Sequence, residues 1–285
     1  MAFCFTIELI LNSDTKINLF FCPLTTAVLD QETTSLVSSW LPADETQKVN
    51  RYIQQSAREK GLMVRGYLRA LLSRFADIKP NEWVFEYGEK GKPRLTDLQF
   101  QQTGLGFNIS HSGDWLLVAI YQTNAPMQAF ELGADIERRR DSTNIHSILN
   151  HYFSEPEAAA LLALPAVEHR ERFFDLWTLK ESYIKAKGLG LALSLKSFAF
   201  DFQSAEKSEL KLNKGAVIPL QFNVSLRLIN DDKERFEIEN QWHCSLGKLN
   251  ESYRFAISFY SGCVANEPEY NAEVIDWAEL IIDSH

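Results

Sequence analysis

FFDLWTLKESYIKAKGLGL, residues 173–191, is the stretch on which the reading of this chain turns. Phe173, Leu176, Leu179 and Tyr183 recur at helical spacing and make one apolar face. Gly188 and Gly190 stand just past the last periodic position, where a left-handed residue ends a helix. The pattern predicts one amphipathic helix with a sharp stop. At about 100° per residue, Trp177, Glu181 and Lys185 line up along the edge of the apolar face. Lys180 points back toward the apolar stripe, so its ammonium must snorkel to water or meet an anion. As a surface feature, Glu181–Lys185 is an i,i+4 ion pair worth about 0.3–0.5 kcal/mol. As a site feature, the helix sets a carboxylate and two ammonium groups beside a large aromatic ring.

Upstream, FELGADIE (130–137) reads as a buried strand ending in Asp135-Ile136-Glu137. Positions i and i+2 of a strand share a face, so Asp135 and Glu137 project together. Two adjacent carboxylates repel unless a cation joins them. Oxygen-only ligands suit magnesium, which binds through one or two carboxylates plus substrate phosphates. The bland alternative is a strand end running into solvent before the charged loop Arg138–Asp141.

Further upstream, Phe107–Ser110 and Trp115–Tyr121 read as two strands joined by a turn at Ser110-His111-Ser112-Gly113. Two hydroxyls, an imidazole and a glycine amide at one turn suit a phosphate. Gly88 to Pro93 is a glycine- and lysine-rich loop after a strand at Trp83–Tyr87. Its glycines permit close backbone approach and its lysines are mobile point charges. Residues 48–76 read as helix, with Asp44 as its cap and Leu62, Leu68, Leu71, Leu72 and Phe75 as its stripe. That segment carries seven cations, either a solvated face or a local anion site.

The remaining elements follow by pattern. Strands are expected at 3–11 and 17–21 around an Asn12–Asp14 turn, and at 198–202, 220–228, 235–239 and 253–260, with a turn at Asn230–Asp232. Ser154 with Glu157 forms a capping box that opens a helix and by itself accounts for Glu157. Ile275, Trp277, Leu280 and Ile281 suggest a short amphipathic helix in an acidic tail from Glu267.

The bulk numbers bound the function. The 285 residues are 45% hydrophobic and 24% charged, as in a globular protein with a sizeable core. A net charge of −9 argues against general nucleic-acid binding. Cys4, Cys22, Cys244 and Cys263 are far apart and form no CxxC pair, which suits reduced thiols in a cytoplasmic protein. The apolar start lacks a basic lead, and no run approaches the roughly 20 apolar residues of a membrane span.

GKP (91–93), FNISHSG (107–113), GADIE (133–137), FSEPE (153–157) and WTLKESYIKAKGLGL (177–191) occur in one order. That ordered set resembles the surfactin-synthetase-activating (Sfp-type) family of 4′-phosphopantetheinyl transferases, over about residues 45–200. The resemblance implies magnesium-dependent transfer of the 4′-phosphopantetheine arm of coenzyme A to a serine of an acyl or peptidyl carrier protein, leaving adenosine 3′,5′-bisphosphate. It implies an α+β (α/β) fold: a pseudo-twofold monomer of two similar halves with coenzyme A in the cleft between them. On that reading residues 1–127 form the N-terminal half, 128–262 the C-terminal half and 263–285 an acidic tail.

By motif, Asp135, Glu137 and Glu181 resemble the family's magnesium ligands. Glu181 or a metal-bound water would take the serine proton, and Lys185 would contact the pyrophosphate. Ser110 and His111 match coenzyme A phosphate contacts, His111 at the 3′-phosphate. Lys92 and Pro93 match the loop beside the adenine and the 3′-phosphate, and Lys180 belongs to the same KES motif as Glu181. Lys48 and Lys60 fall at further phosphate-binding positions, although Lys60 stands where the family commonly has Arg, which loses bidentate geometry. An acidic carrier would dock on basic or apolar surface, with Arg138–Arg140 and the 48–74 cations as candidates. Two other readings compete. A metal-dependent nuclease suits the carboxylates but not the net charge, and a non-catalytic coenzyme A or carrier-binding module would not need all three carboxylates.

Overall fold

The computed structural model of the chain describes residues 15–25, 30–229, 236–262 and 267–282. In chain order, β1 (Lys16–Pro23) is followed by α1 (Gln31–Trp40), α2 (Ala43–Asn50) and α3 (Gln55–Ser73). A short hairpin, β2 (Phe85–Tyr87) and β3 (Pro93–Leu95), precedes α4 (Asp97–Thr103) and a long hairpin, β4 (Leu105–Ser112) and β5 (Trp115–Gln122). Next come β6 (Phe130–Arg138), α5 (Ile145–Tyr152), α6 (Glu155–Leu162) and α7 (His169–Lys187). The remainder is β7 (Phe198–Asp201), β8 (Glu206–Lys211), β9 (Val217–Phe222), β10 (Ser225–Ile229), β11 (Phe236–Ile238), β12 (Trp242–Asn250), β13 (Tyr253–Ser261), β14 (Glu269–Val274) and α8 (Trp277–Ile282).

Among the described residues, one sheet has the order β14-β1-β5-β4 and a second the order β6-β13-β12-β9-β8. Their strands alternate sides, as a pleat requires. From β1, Phe20 and Cys22 pack with Leu71, Trp40 and Trp277 of the helices α3, α1 and α8, while Ile17, Leu19 and Phe21 turn toward the second sheet. From β13, Ala256 joins the core under α5–α7, while Phe255, Ile257 and Phe259 meet the first sheet. The layers are therefore helices, sheet, sheet, helices. The mixed helix-and-sheet class expected from the sequence is the one observed.

Helix α7 explains its own sequence. From Phe173 to Ala186 every residue is buried except Trp177, Glu181 and Lys185. The row read as the edge of an apolar face is the one half-open strip on a helix otherwise enclosed by protein. Gly188 closes the helix at φ 65°, its N–H donating to Ile184 O. On β6, Gly133 lies under α7. A Cβ there would come within 1.9 Å of Ser182 O, so only glycine lets the helix seat on the strand.

Several elements differ from the sequence reading. The 48–76 helix is two helices broken at Arg51–Gln54, where the apolar period slips between Val49 and Leu62. Asp44 is not its cap but a first-turn residue paired with Lys48. The turn after β4 is Gly113-Asp114, so Ser110, His111 and Ser112 belong to the strand. The predicted 220–228 strand is interrupted by Asn223 at φ 57°. Of the stretch set apart as a tail, residues 267–282 are built into the fold: β14 runs parallel to β1, and Trp277 and Leu280 are enclosed in the core beneath α1 and α3. The predicted strand at 3–11 and the turns at Asn12–Asp14 and Asn230–Asp232 lie outside the described residues, as do Cys4 and Cys263. Cys22 and Cys244 are free, buried thiols. No helix among the described residues is long and apolar enough to cross a membrane.

Candidate active site

Strands β4 and β6 are the facing edges of the two sheets. Side chains of alternate β4 residues stitch this seam. Ala134 N donates to Asn108 Oδ1 at 2.9 Å, Ser110 Oγ donates to Asp135 Oδ1 at 2.8 Å, and Ser112 Oγ donates to Glu137 Oε2 at 3.0 Å. Arg138 N donates to Ser112 Oγ at 3.1 Å. The DxE pair thus points out of one sheet and is met by the hydroxyls of the other.

Helix α7 brings the third carboxylate and a cation to this seam. Lys185 Nζ donates to Asp135 Oδ1 and to Ser110 Oγ, both at 2.6 Å. Asp135 is 2% exposed, and its Oδ2 is buried with no hydrogen-bond partner among the described residues. The Glu137 carboxyl is raised above the usual range by burial and then by Asp135, against hydrogen bonds from Ser112 and Trp177. The Glu181 carboxyl is pushed up to about 7, first by burial and then by Asp135 and Glu137, with Lys185 opposing. Three carboxylates share one partly dry place with a single ammonium.

That arrangement fits a small divalent cation held through oxygen: an orphaned buried carboxylate oxygen, two carboxyls raised by burial and by neighbouring negative charge, and an all-oxygen donor set. Among the described residues, no three acidic, imidazole or thiol groups stand close enough to form a ready-made cation cage. The paired oxygen of Asp135 faces Lys185 instead.

Ser110 and Lys185 also line a groove of about 370 Å³, with His111, Pro93, Gly91, Arg65, Tyr52, Tyr87 and Ile109. His111 is exposed at its mouth. Its imidazole is held below the usual range, first by desolvation against the groove wall and then by Lys185, Lys60 and Arg65. A neutral imidazole among cations marks a place that attracts negative charge. Lys60 stands beside this wall, donating to Gly113 O at 2.7 Å, with Asp114 at 3.4 Å. Lys48 lies 4.4 Å over the Tyr87 ring, which lines the groove. Arg138 is exposed nearby, 3.6 Å from Asp114.

Two predicted contacts are placed elsewhere. Lys180 is fully buried behind α7, pairing with Glu157 at 2.7 Å and donating to Leu195 O and Phe198 O. The anion that its inward direction required is an internal glutamate, so its ammonium is unavailable to a ligand. Glu157 also accepts from Ser154 N, Ser154 Oγ and Phe200 N, and is structural. Lys92 donates to Leu132 O at 3.1 Å and to Ala186 O at 2.8 Å. It lines a separate cavity rather than the groove. Of the seven cations at 48–74, Arg69 is wholly internal, on Glu45, Pro80 O and Trp83 O. The sequence reading missed Asn108, Ser112, Arg65 and Tyr87. The alternation of Asn108, Ser110 and Ser112 in FNISHSG was the signal for the first two.

Comparison with known proteins identifies the family. The 4′-phosphopantetheinyl transferase superfamily profile matches residues 131–257, and the profile of the N-terminal region of a 4′-phosphopantetheinyl transferase matches residues 30–123. The 4′-phosphopantetheinyl transferase HetI of Nostoc sp. is 34% identical over 166 residues, covering 58% of this chain and 67% of that one. Sfp of Bacillus subtilis, another 4′-phosphopantetheinyl transferase, is 31% identical over 171 residues, or 60% of this chain and 70% of its own. The 4′-phosphopantetheinyl transferase gsp of Aneurinibacillus migulanus is 31% identical over 186 residues, covering 65% and 72%. The chain belongs to the 4′-phosphopantetheinyl transferase superfamily and is an enzyme of its Sfp type.

Proposed function

We propose that this enzyme transfers the 4′-phosphopantetheine group of coenzyme A to a serine of an apo acyl or peptidyl carrier protein, with magnesium, releasing adenosine 3′,5′-bisphosphate. The observation that carries the reading is the meeting of Asp135, Glu137 and Glu181 with Lys185 and Ser110 at the inner end of a cation-lined groove. Asp135, Glu137 and Glu181 would hold the magnesium, which when bound neutralises charge developing on the pyrophosphate.

The protein's own groups have distinct parts. Arg65 and Lys185 in the groove wall, with Lys60 and Lys48 beside it and Glu45 taken up by Arg69, give positive potential for the coenzyme's phosphates, and His111 adds a ring N–H. Lys185, now on Asp135 and Ser110, is one hydrogen bond from the groove and would turn its third N–H to the pyrophosphate. The serine oxygen forms a bond to the phosphorus that bears the pantetheine arm, and the bond from that phosphorus to the bridging oxygen breaks. The electron pair leaves on adenosine 3′,5′-bisphosphate. The serine proton goes to Glu181, directly or through a water. The carrier would dock at the groove mouth, where Tyr52 and Ile53 are exposed apolar groups, Ile53 at 93%, and Arg51 and Arg138 are exposed cations. We take the protein to act as a monomer in the cytoplasm.

The test is direct. An apo carrier domain incubated with the protein, coenzyme A and magnesium gains the phosphopantetheine mass, and adenosine 3′,5′-bisphosphate appears in equal amount. No mass gain on fatty-acid, polyketide or peptide carriers sinks the proposal.

A further inference from the structure

The loop Gly88–Lys92 stands between two voids. On one side is the groove, which Gly91 and Pro93 line. On the other is a cavity of about 300 Å³ lined by Gly88, Lys92 and Pro93 together with Phe107, Phe130 and Gly188. Gly88 to Gly91 are exposed, and the loop's own hydrogen bonds, Gly88 N to Lys92 O and Gly91 N to Gly88 O, close it only upon itself. A wall with space on both sides has little packing to hold it; Lys90 lies against the Gly190 turn, where a Cβ would stand 3.5 Å from Lys90 Cβ.

Lys92 supplies the hold. Its ammonium donates at 3.1 Å to Leu132 O, on the edge of β6 three residues before Asp135. It donates at 2.8 Å to Ala186 O, in the last turn of α7 next to Lys185. Ala186 O is one of the carbonyls a helix end leaves without an internal partner, and a cation there also opposes the helix dipole. Gly188 makes room for the lysine stem: a Cβ at that position would stand 3.3 Å from Lys92 Cδ. Burial lowers the ammonium to about 8, so it is still mostly charged at neutral pH.

We propose that Lys92 is a positioning residue, a clasp that pins the Gly88–Lys92 loop to β6 and α7 and so sets the groove's width, and not a contact to bound phosphate. The ligand part rests on the function proposed above. The loop part does not.

Hydrogen exchange on the whole chain without ligand tests the loop part, using Lys92→Met, which keeps the stem, and Lys92→Arg, which keeps donors and charge. With Lys92→Met, amide exchange at residues 88–92 and 186–190 should rise about tenfold or more while exchange in β12 and β13 stays fixed. Lys92→Arg should restore most of the protection. Unchanged exchange in the loop overturns the clasp. Calorimetry and kinetics test the ligand part: Lys92→Met should raise KM for coenzyme A about tenfold with kcat changed far less, through lost preorganisation. Affinity for 3′-dephospho-coenzyme A should fall by the same factor. A loss confined to coenzyme A means a direct phosphate contact and overturns the proposal. If the unmutated protein binds no coenzyme A, the proposed function fails, and the exchange data still decide the clasp.

Discussion

Ser110 Oγ donates to Asp135 Oδ1 at 2.8 Å, from the edge strand of one sheet to the edge strand of the other. The bond fixes the most buried carboxylate of the site from the opposite side of the seam, and Lys185 bonds to both partners. Ser110→Ala removes this donor and leaves Lys185 as the one partner of Asp135 Oδ1 among the described residues. It should cost about 1 kcal/mol in urea denaturation and, if Asp135 holds the magnesium as proposed, about 10–100-fold in kcat/KM.

Glu181→Gln separates stability from activity. A carboxyl raised from 4.5 to about 7 on folding contributes stability that is fully present below the unfolded value and lost as pH rises through about 7. The metal-free protein should therefore lose stability between about pH 4.5 and 7, and the glutamine variant should lose less. At pH 8 the variant should be more stable by on the order of 1–2 kcal/mol, allowing for partial exposure. At pH 4.5 the two should coincide, and transfer by the variant should be lost. Thermal melts at the two pH values in chelator make the check.

Lys180 should behave as a core residue. Lys180→Met strands Glu157 in the interior and should cost about 3–5 kcal/mol in denaturation. Pairing it with Glu157→Gln should recover a large part of that loss. Coenzyme A affinity of the folded protein should stay within about twofold, whereas a ligand-contacting lysine would lose about 1.5–3 kcal/mol.

What could be read from the chain, and what could not, divides along physical lines. Helix α7, its glycine stop and the half-open row Trp177–Glu181–Lys185 follow from a local period, and so does the shared face of Asp135 and Glu137. The partners of Lys180 and Lys92 were not legible, because a motif shows a cation without its partner. The partner of Lys180 is a glutamate on a different helix, and those of Lys92 are backbone carbonyls, which carry no sequence signal. The tail was set apart because β14 pairs with β1 at the other end of the chain, a parallel contact that no local pattern reveals. Gly133 was quoted within a motif, but its reason, the backbone of α7 resting on it, is visible only in three dimensions.

The tail carries its own prediction. Trp277 is 1% exposed, stacks 4.1 Å from Tyr67 and meets Gly66. Trp277→Ala should cost about 3–5 kcal/mol through cavity formation, lowering Tm although the residue lies outside both family matches. A melt within error of the unmutated protein would show that α8 does not hold the first core together.

If transfer occurs at the carboxylates of the seam, removing one charge there should abolish it. The most direct measurement compares initial rates of carrier modification, by intact mass, for the unmutated protein and Asp135→Asn across a magnesium titration, with folding confirmed by thermal melt. The account predicts a saturable magnesium dependence for the unmutated protein, and a loss of about a thousandfold for Asp135→Asn in a protein that stays folded. A rate for Asp135→Asn within about tenfold of the unmutated protein, or transfer indifferent to magnesium and to chelator, would contradict it.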